Sequence, residues 1–268
     1  MELQVNGART FCYTGGKPFD AAKPTVVFIH GVLNDHSVWI LQTRYLAHHG
    51  WNVLAIDLPG HGRSSGEPPA SVEQAADFVL ALVQAAGLDQ AALIGHSFGS
   101  LIALEAAARA PHQVSHLALL GTAAPMRVSP ALLEASLHDP ERAIALVNGY
   151  SHSTLAPPPS TLGPGTWLYG AQRALMRRVL AGNPRSNLFH TGFVACDAYR
   201  GGEAAMARVE APVLFVLGES DQMTPPKAAQ PLVRAAGSAQ VRSVPGGHDM
   251  MAEAPDAVLR ALRELFGA

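Results

Sequence analysis

The chain has 268 residues, 48% hydrophobic and 15% charged, with a formal net charge of -2. That length supports a sizeable core in one domain, and the composition belongs to a folded globule rather than a disordered chain. No basic face suggests nucleic acid. No run reaches the roughly 18 apolar residues of a membrane span.

In chain order, the first signal is Asn6-Gly7 between two short apolar stretches, which predicts a hairpin. Short, largely apolar runs follow at residues 25–29, 52–56, 91–94, 114–120 and 212–217, with a sixth strand expected at 240–244. Such runs are typical of parallel strands buried on both faces. Helical spacing fills residues 71–86, 98–110 and 255–266. Ser71 and Gln74 offer a capping box to the first, Pro111 stops the second, and Pro255 opens the third. Alternating strands and helices predict an α/β fold, with a mostly parallel sheet covered by helices on both faces.

Residues 123–206 break this rhythm. They hold Pro157-Pro158-Pro159 and Gly163-Pro164-Gly165 and several short helical patterns, without a clear buried strand. The expected organisation is a core of residues 1–122 and 207–268 with a helical insertion over 123–206. An insertion at the strand ends is well placed to cover a site. Its large apolar residues include Leu146, Trp167, Leu168, Leu175, Met176, Leu188 and Phe189. Most are expected to pack the insertion, while Trp167 and Met176, with His96 from the core, are candidates for a pocket wall.

Gly95-His96-Ser97-Phe98-Gly99 follows a strand and opens a helix. The glycines suit a turn too tight for side chains on either side of Ser97, and the turn lifts the hydroxyl above the sheet at a helix N-terminus. A serine hydroxyl is a weak nucleophile without a base. His248, in Pro245-Gly246-Gly247-His248-Asp249, follows the last strand and is the candidate base. Asp221, in Gly218-Glu219-Ser220-Asp221, follows the strand before it and is the candidate acid that orients the base. Glu219 is the alternative acid, and Asp221 would otherwise cap the turn near Pro225-Pro226. Backbone donors for an oxyanion are expected from Phe98 and from Val32, in the turn after the 25–29 strand. The His30 side chain and the loop from Asp57 to Ser64 read as structural, with Asp57 and Arg63 holding the loop.

Together, His30-Gly31, the loop from Asp57 to Ser64, Gly95 to Gly99, Gly218 to Asp221 and Gly247-His248 resemble the α/β-hydrolase superfamily, in its esterase-like branch. The resemblance implies an eight-stranded, mostly parallel sheet, a helical lid between the sixth and seventh strands, and the Ser97–His248–Asp221 triad. Many relatives have a second glycine after the elbow, where this chain has Ser100. The implied activity is hydrolysis of a small-molecule carboxylic ester through an acyl-enzyme. A thioesterase, a serine-dependent C–C bond hydrolase and a non-catalytic binding protein on the same fold are the alternatives. No cofactor is implied, and no metal-ligand spacing is evident. Arg173 and Arg177 share a helical face that suits solvent or an acidic carrier protein. Cys12 and Cys196 read as free thiols, a disulfide between them being the alternative. The N-terminus carries no secretory pattern, so a cytoplasmic location is expected, and the oligomeric state stays open.

Overall fold

In the computed structural model, which describes residues 1–153 and 167–267, the chain opens with a hairpin. Strands β1 (Glu2–Val5) and β2 (Ala8–Tyr13) pair antiparallel across Asn6 and Gly7, whose φ angles are 51° and 79°. Glycine and asparagine adopt that left-handed conformation at the least steric cost. The remaining strands are β3 (Thr25–Ile29), β4 (Asn52–Ile56), β5 (Ala91–His96), β6 (Val114–Leu120), β7 (Val213–Gly218) and β8 (Ala239–Val244). They form one eight-stranded sheet in the order β1-β2-β4-β3-β5-β6-β7-β8, parallel from β4 to β8.

Alternation along the central strands builds two core layers. Val27, Ile29, Leu93, Leu117, Leu119 and Phe215 face α2 (Val72–Ala85) and α3 (Phe98–Arg109). Val26, Phe28, Ile94, Ala118, Leu120 and Val216 face the other way, toward Trp39, α1 (Ile40–His48) and the C-terminal helix that ends at Leu265. Both faces are therefore apolar, and β3, β4, β5 and β7 are buried along their whole length. Helix α1 was not anticipated. Its apolar residues are interrupted by Gln42 and Thr43, which are nonetheless buried, with the Gln42 amide donating to the Met251 carbonyl and the Thr43 hydroxyl to that of Trp39. At α2, Ser71 Oγ accepts the N–H of Gln74 at 3.2 Å, while the Gln74 side chain reaches the N–H of Ala70.

Between β6 and β7 lie α4 (Pro130–His138), α5 (Pro140–Ser151), α6 (Leu168–Gly182), α7 (Leu188–Ala198) and α8 (Gly202–Met206). Pro157-Pro158-Pro159 and Gly163-Pro164-Gly165 lie outside the described residues. Helices α4 to α7 share a core of Leu132, Ile144, Val147, Leu175, Met176, Val179, Leu188 and Phe189, which also takes in Leu33 from the turn after β3. Farther along, the Tyr199 hydroxyl donates to Glu105 of α3 at 2.6 Å. Helix α9 (Gln230–Ala235) precedes β8, and α10 (Met250–Glu253) and α11 (Pro255–Leu265) close the chain. No helix among the described residues is long and apolar enough to cross a membrane.

The loop after β4 is organised by Asp57, whose carboxylate is fully buried. It accepts the backbone N–H of His36 and of Arg63, both at 2.8 Å, and meets the His36 ring at 2.7 Å. Arg63 thus ties the loop with its backbone, while its guanidinium lies over the Phe11 ring. A Cβ on Gly62 would fall 2.4 Å from the Asp57 carboxylate, so only glycine admits this wrap. Asp57→Ala should strand the part-buried N–H groups of His36 and Arg63 and lower stability by about 1–3 kcal/mol, measured by urea unfolding.

Candidate functional site

The turn from β5 into α3 shows why its residues are small. Ser97 has φ 54° and ψ -120°, a strained conformation for a residue with a side chain. A Cβ on Gly95 would lie 2.0 Å from the Gly99 carbonyl, and one on Gly99 would lie 2.3 Å from the Ile29 carbonyl. The two glycines therefore let α3 press against the end of β3. Gly31 is also close, though less tightly, since a Cβ there would be 3.2 Å from the Ser97 side chain. The turn carrying Val32 is thereby held beside Ser97 and the first turn of α3. Among the described residues, no acceptor takes the N–H of Val32 or of Phe98. Ser100 Oγ donates back to the Ser97 carbonyl at 2.5 Å and lies 2.8 Å from Thr122 Oγ1, so the position where relatives often have glycine here braces the turn.

His248 is buried on the loop after β8, with its Nδ1 2.8 Å from Asp221 Oδ2. That contact puts the ring proton on Nδ1 and leaves Nε2 as an acceptor. Asp221 Oδ1 accepts the N–H of Met223 and of Thr224, and Oδ2 also accepts the Thr224 hydroxyl, each at 2.8 Å. Burial pushes the Asp221 carboxyl upward, but the His248 ring and the Thr224 donors outweigh it and hold the group below the usual carboxylate range. Asp221 therefore both braces its own turn and meets the histidine, while Glu219 is exposed and takes no part. Close backbone approach joins the two loops. A Cβ on Gly218 would sit 2.3 Å from the Gly247 carbonyl, and one on Gly247 would sit 2.4 Å from the Ser151 carbonyl.

Two cavities open on Ser97 and His248. The larger, about 300 Å³, is walled chiefly by Met126, Val128, Leu132, Leu146, Phe193 and Met223. The smaller, about 30 Å³, lies toward Gly31, Val32, Asn34 and His96. The structure thus gathers Ser97, His248, Asp221, Val32 and Phe98 in one place. His96 lines the smaller cavity, but its Nε2 is engaged with the His248 carbonyl at 2.9 Å. Burial, reinforced by the neighbouring His248, pushes its pKa down to about 3. His96 is thus a neutral brace for the His248 loop.

Trp167 and Met176 are corrected. Trp167 is 57% exposed at the start of α6, where its ring stacks on Tyr169, and Met176 points into the core shared by the inserted helices. Neither lines a cavity at Ser97. Arg173 and Arg177 do share a face, yet both reach Glu141 of α5 and so join two helices of the insertion. His30 is structural, its Nδ1 meeting the Gly31 carbonyl and its Nε2 accepting the N–H of Leu58. Cys12 and Cys196 are free and buried, and Cys196 forms part of the larger cavity wall. Burial pushes the Cys12 thiol up to about 12 and raises that of Cys196 as well.

The sequence reading missed Thr224 and Gly121. Thr224 follows Asp221 by three residues, the spacing of a side chain that caps its own turn, and that signal was open to reading. Gly121, at φ 54°, sits close under the His248 ring, where a Cβ would come within 3.1 Å and push the imidazole aside. Also missed was the link between Asp249 and His152, whose Nε2 lies 3.4 Å away at the end of α5. Burial disfavours the charged ring, but the Asp249 carboxylate outweighs it, so His152 is raised above its ordinary value. The fold also brings Asp35, His36 and Asp57 within 4.8 Å of one another, where no sequence spacing pointed to a cluster. Asp35 is taken up by Ser37 and Arg178, and Asp57 by His36 and Arg63.

This architecture is that of an α/β hydrolase, and comparison with known proteins agrees. The sequence model of the α/β-hydrolase fold matches residues 24–143. The chain is 32% identical over 219 residues to a pimeloyl-(acyl-carrier protein) methyl ester esterase of Neisseria meningitidis, covering 80% of this chain and 82% of that one. It therefore belongs to the α/β-hydrolase family. It is also 38% identical over 97 residues to the dihydrolipoyllysine-residue acetyltransferase component of the acetoin cleaving system of Cupriavidus necator, which covers 36% of this chain. The chain spans only 26% of that relative's length, and 36% to 39% of two others. The enol-lactonase of Burkholderia xenovorans shares the fold over the whole of both chains, with a TM-score of 0.83 at 21% identity.

Thr224→Val removes one donor from Asp221 and should cost about 1–2 kcal/mol of stability at neutral pH. A depressed carboxylate stabilises the fold above its unfolded pKa, near 4, and that contribution is lost as pH falls through the folded value. The loss should therefore begin near the same pH in both proteins but be complete at higher pH in the variant, and the gap between the two proteins should narrow in strong acid. Urea unfolding across acidic and neutral pH checks this, with Thr224→Ser expected to restore the wild-type profile.

Proposed function

We propose that this protein hydrolyses small-molecule carboxylic esters through an acyl-enzyme. The observation that carries the reading is the arrangement at Ser97: a strained turn places its hydroxyl in the same cavity as His248, whose far nitrogen is held by Asp221. In this reading Ser97 Oγ attacks the ester carbonyl while His248 Nε2 takes its proton. Asp221 stabilises the resulting imidazolium and fixes its orientation. The charge on the carbonyl oxygen is received by the N–H groups of Phe98 and Val32. The proton on His248 then passes to the departing alcohol. Water deprotonated by the same nitrogen attacks the acyl-enzyme and releases the acid, restoring Ser97.

The larger cavity takes the acyl chain, because its wall is mostly apolar and it opens directly on Ser97. The inserted helices supply Leu132, Leu146 and Phe193 to that wall and thus serve as a lid. The Neisseria relative, named for methyl ester cleavage, supports an ester over a thioester or a C–C bond.

Ser97→Ala should lower kcat/KM on p-nitrophenyl esters by on the order of a thousandfold or more, with the unfolding midpoint preserved. A fluorophosphonate should label the wild type at Ser97 and leave the variant unlabelled. A variant that keeps much of the wild-type rate would overturn the assignment. Leu146→Ala and Phe193→Ala should shift the preferred acyl length, changing kcat/KM between adjacent chain lengths by roughly 1–3 kcal/mol in transition-state terms. An equal loss on every length in a C2-to-C12 ester series would remove the lid from acyl recognition.

A further inference from the structure

The larger cavity carries a charge that hydrolysis of a plain alkyl ester does not use. Arg127 lies on its wall, between Met126 and Val128. Among the described residues it is the one lysine or arginine lining either cavity at Ser97. It forms no ion pair among those residues, and residues 154–166 contain no aspartate or glutamate. The nearest claim on a carboxylate in this stretch is made by its neighbour, since the N–H of Val128 donates to Asp197 at 2.9 Å. Most arginines of the inserted helices are occupied differently: Arg173 and Arg177 hold Glu141, Arg178 holds Asp35, and Arg200 donates to main-chain carbonyls.

The rest of the wall sharpens the contrast. No aspartate or glutamate lines the larger cavity. Two carboxylates lie close behind it: Asp221, which spends its acceptor capacity on His248, Met223 and Thr224, and Asp197, whose Oδ1 accepts the N–H of Val128 and which forms no ion pair with Arg127. Asp249 lines the smaller cavity and faces His152. The acyl cavity is therefore mostly apolar, with one cationic side chain on its wall that forms no ion pair among the described residues. An arginine fork matches a carboxylate in two parallel hydrogen bonds. Because Arg127 is exposed, that carboxylate keeps part of its hydration and avoids the cost of full burial.

We propose that Arg127 is a specificity residue that binds an anionic group at the far end of the acyl chain, so that the preferred substrates are monoesters of dicarboxylic acids. This rests on the esterase reading for its substrate class, while the anion subsite stands on the cavity alone. A tail carboxylate would sit at the arginine while the ester carbonyl sits at Ser97, and the methylenes between them would cover Met126, Leu132 and Leu146. Chains too short to span the two points would lose the advantage of the charge.

The test compares monomethyl esters of C4 to C10 diacids with methyl esters of monoacids of equal length, on wild type, Arg127→Gln and Arg127→Lys. The wild type should prefer the diacid monoester at one or two chain lengths, and the preference should fall as salt is raised. Arg127→Gln should reduce the ratio of kcat/KM between the two series by roughly fivefold to tenfold, mostly through KM, and Arg127→Lys should retain part of it. A ratio that is the same in wild type and Arg127→Gln at every length would overturn the proposal while leaving the esterase intact. Calorimetric binding of adipate against hexanoate gives a readout free of turnover. If neither ester series is hydrolysed but adipate binds the wild type more tightly than Arg127→Gln, the anion subsite stands and the esterase reading fails. Equal binding of the two acids by both proteins overturns the subsite.

Discussion

How closely helix α3 approaches the end of strand β3 sets the geometry of everything around Ser97. The Gly95 and Gly99 positions have no space for a methyl group, because the Gly99 and Ile29 carbonyls occupy it. With α3 seated that deeply, the turn at Gly31 and Val32 comes against the Ser97 side chain, and the N–H groups of Val32 and Phe98 have no acceptor among the described residues. Ser97 takes up the strain through a left-handed φ, and the buried apolar face of α3 holds it there. The energy of that face, from Leu101, Ile102 and Leu104, is what keeps an unfavourable backbone conformation in place.

The same close approach recurs where the other loops meet. Gly218 against Gly247 brings the Asp221 turn under the His248 loop, and Gly121 leaves room for the imidazole itself. The inserted helices attach at these points as well as to α3 and the loop after β4. Leu33 enters their core, Val32 packs against Gly192 of α7, and the Ser151 carbonyl accepts the N–H of Asp249 beside the histidine. A displacement of the insertion would therefore be felt at Val32 and at His248 together. Packed elements transmit such shifts because they hold few voids to absorb them.

Twelve histidines offer the same ring to very different environments. His30 and His96 are buried where each ring is tied to backbone, and burial pushes both below the ordinary imidazole range. His152 is raised because Asp249 faces it. Asp221 holds the His248 Nδ1, while Nε2 makes no hydrogen bond among the described residues. Only surroundings separate these cases, since ring chemistry is common to all of them.

Local pattern was enough for much of the fold. Short, mostly apolar runs located β3, β4 and β6 to the residue, because strands buried over most of their length admit few polar residues. Asn6-Gly7 placed the hairpin, since its φ values follow from the residue types alone. Helix α1 escaped, because its buried Gln42 and Thr43 are satisfied by partners that only the folded chain brings near. At the site, the glycine-flanked Ser97, Asp221 and His248 stood out by their places after strands. The pocket wall did not, and Trp167 and Met176 show why: a large apolar residue on an inserted helix faces outward, into its own bundle or toward the cavity according to how the helix is rotated. That rotation is decided by packing among α4 to α7 and against Leu33. The sequence by itself determined the strands, the turn at Ser97 and the order of the polar residues along the sheet, because each depends on neighbours in the chain. The tertiary structure alone decided that Thr224 would also meet His248, that His96 would be locked neutral, and that Arg127 would form no ion pair among the described residues. Those outcomes depend on distances between residues far apart in the chain, which no local pattern encodes.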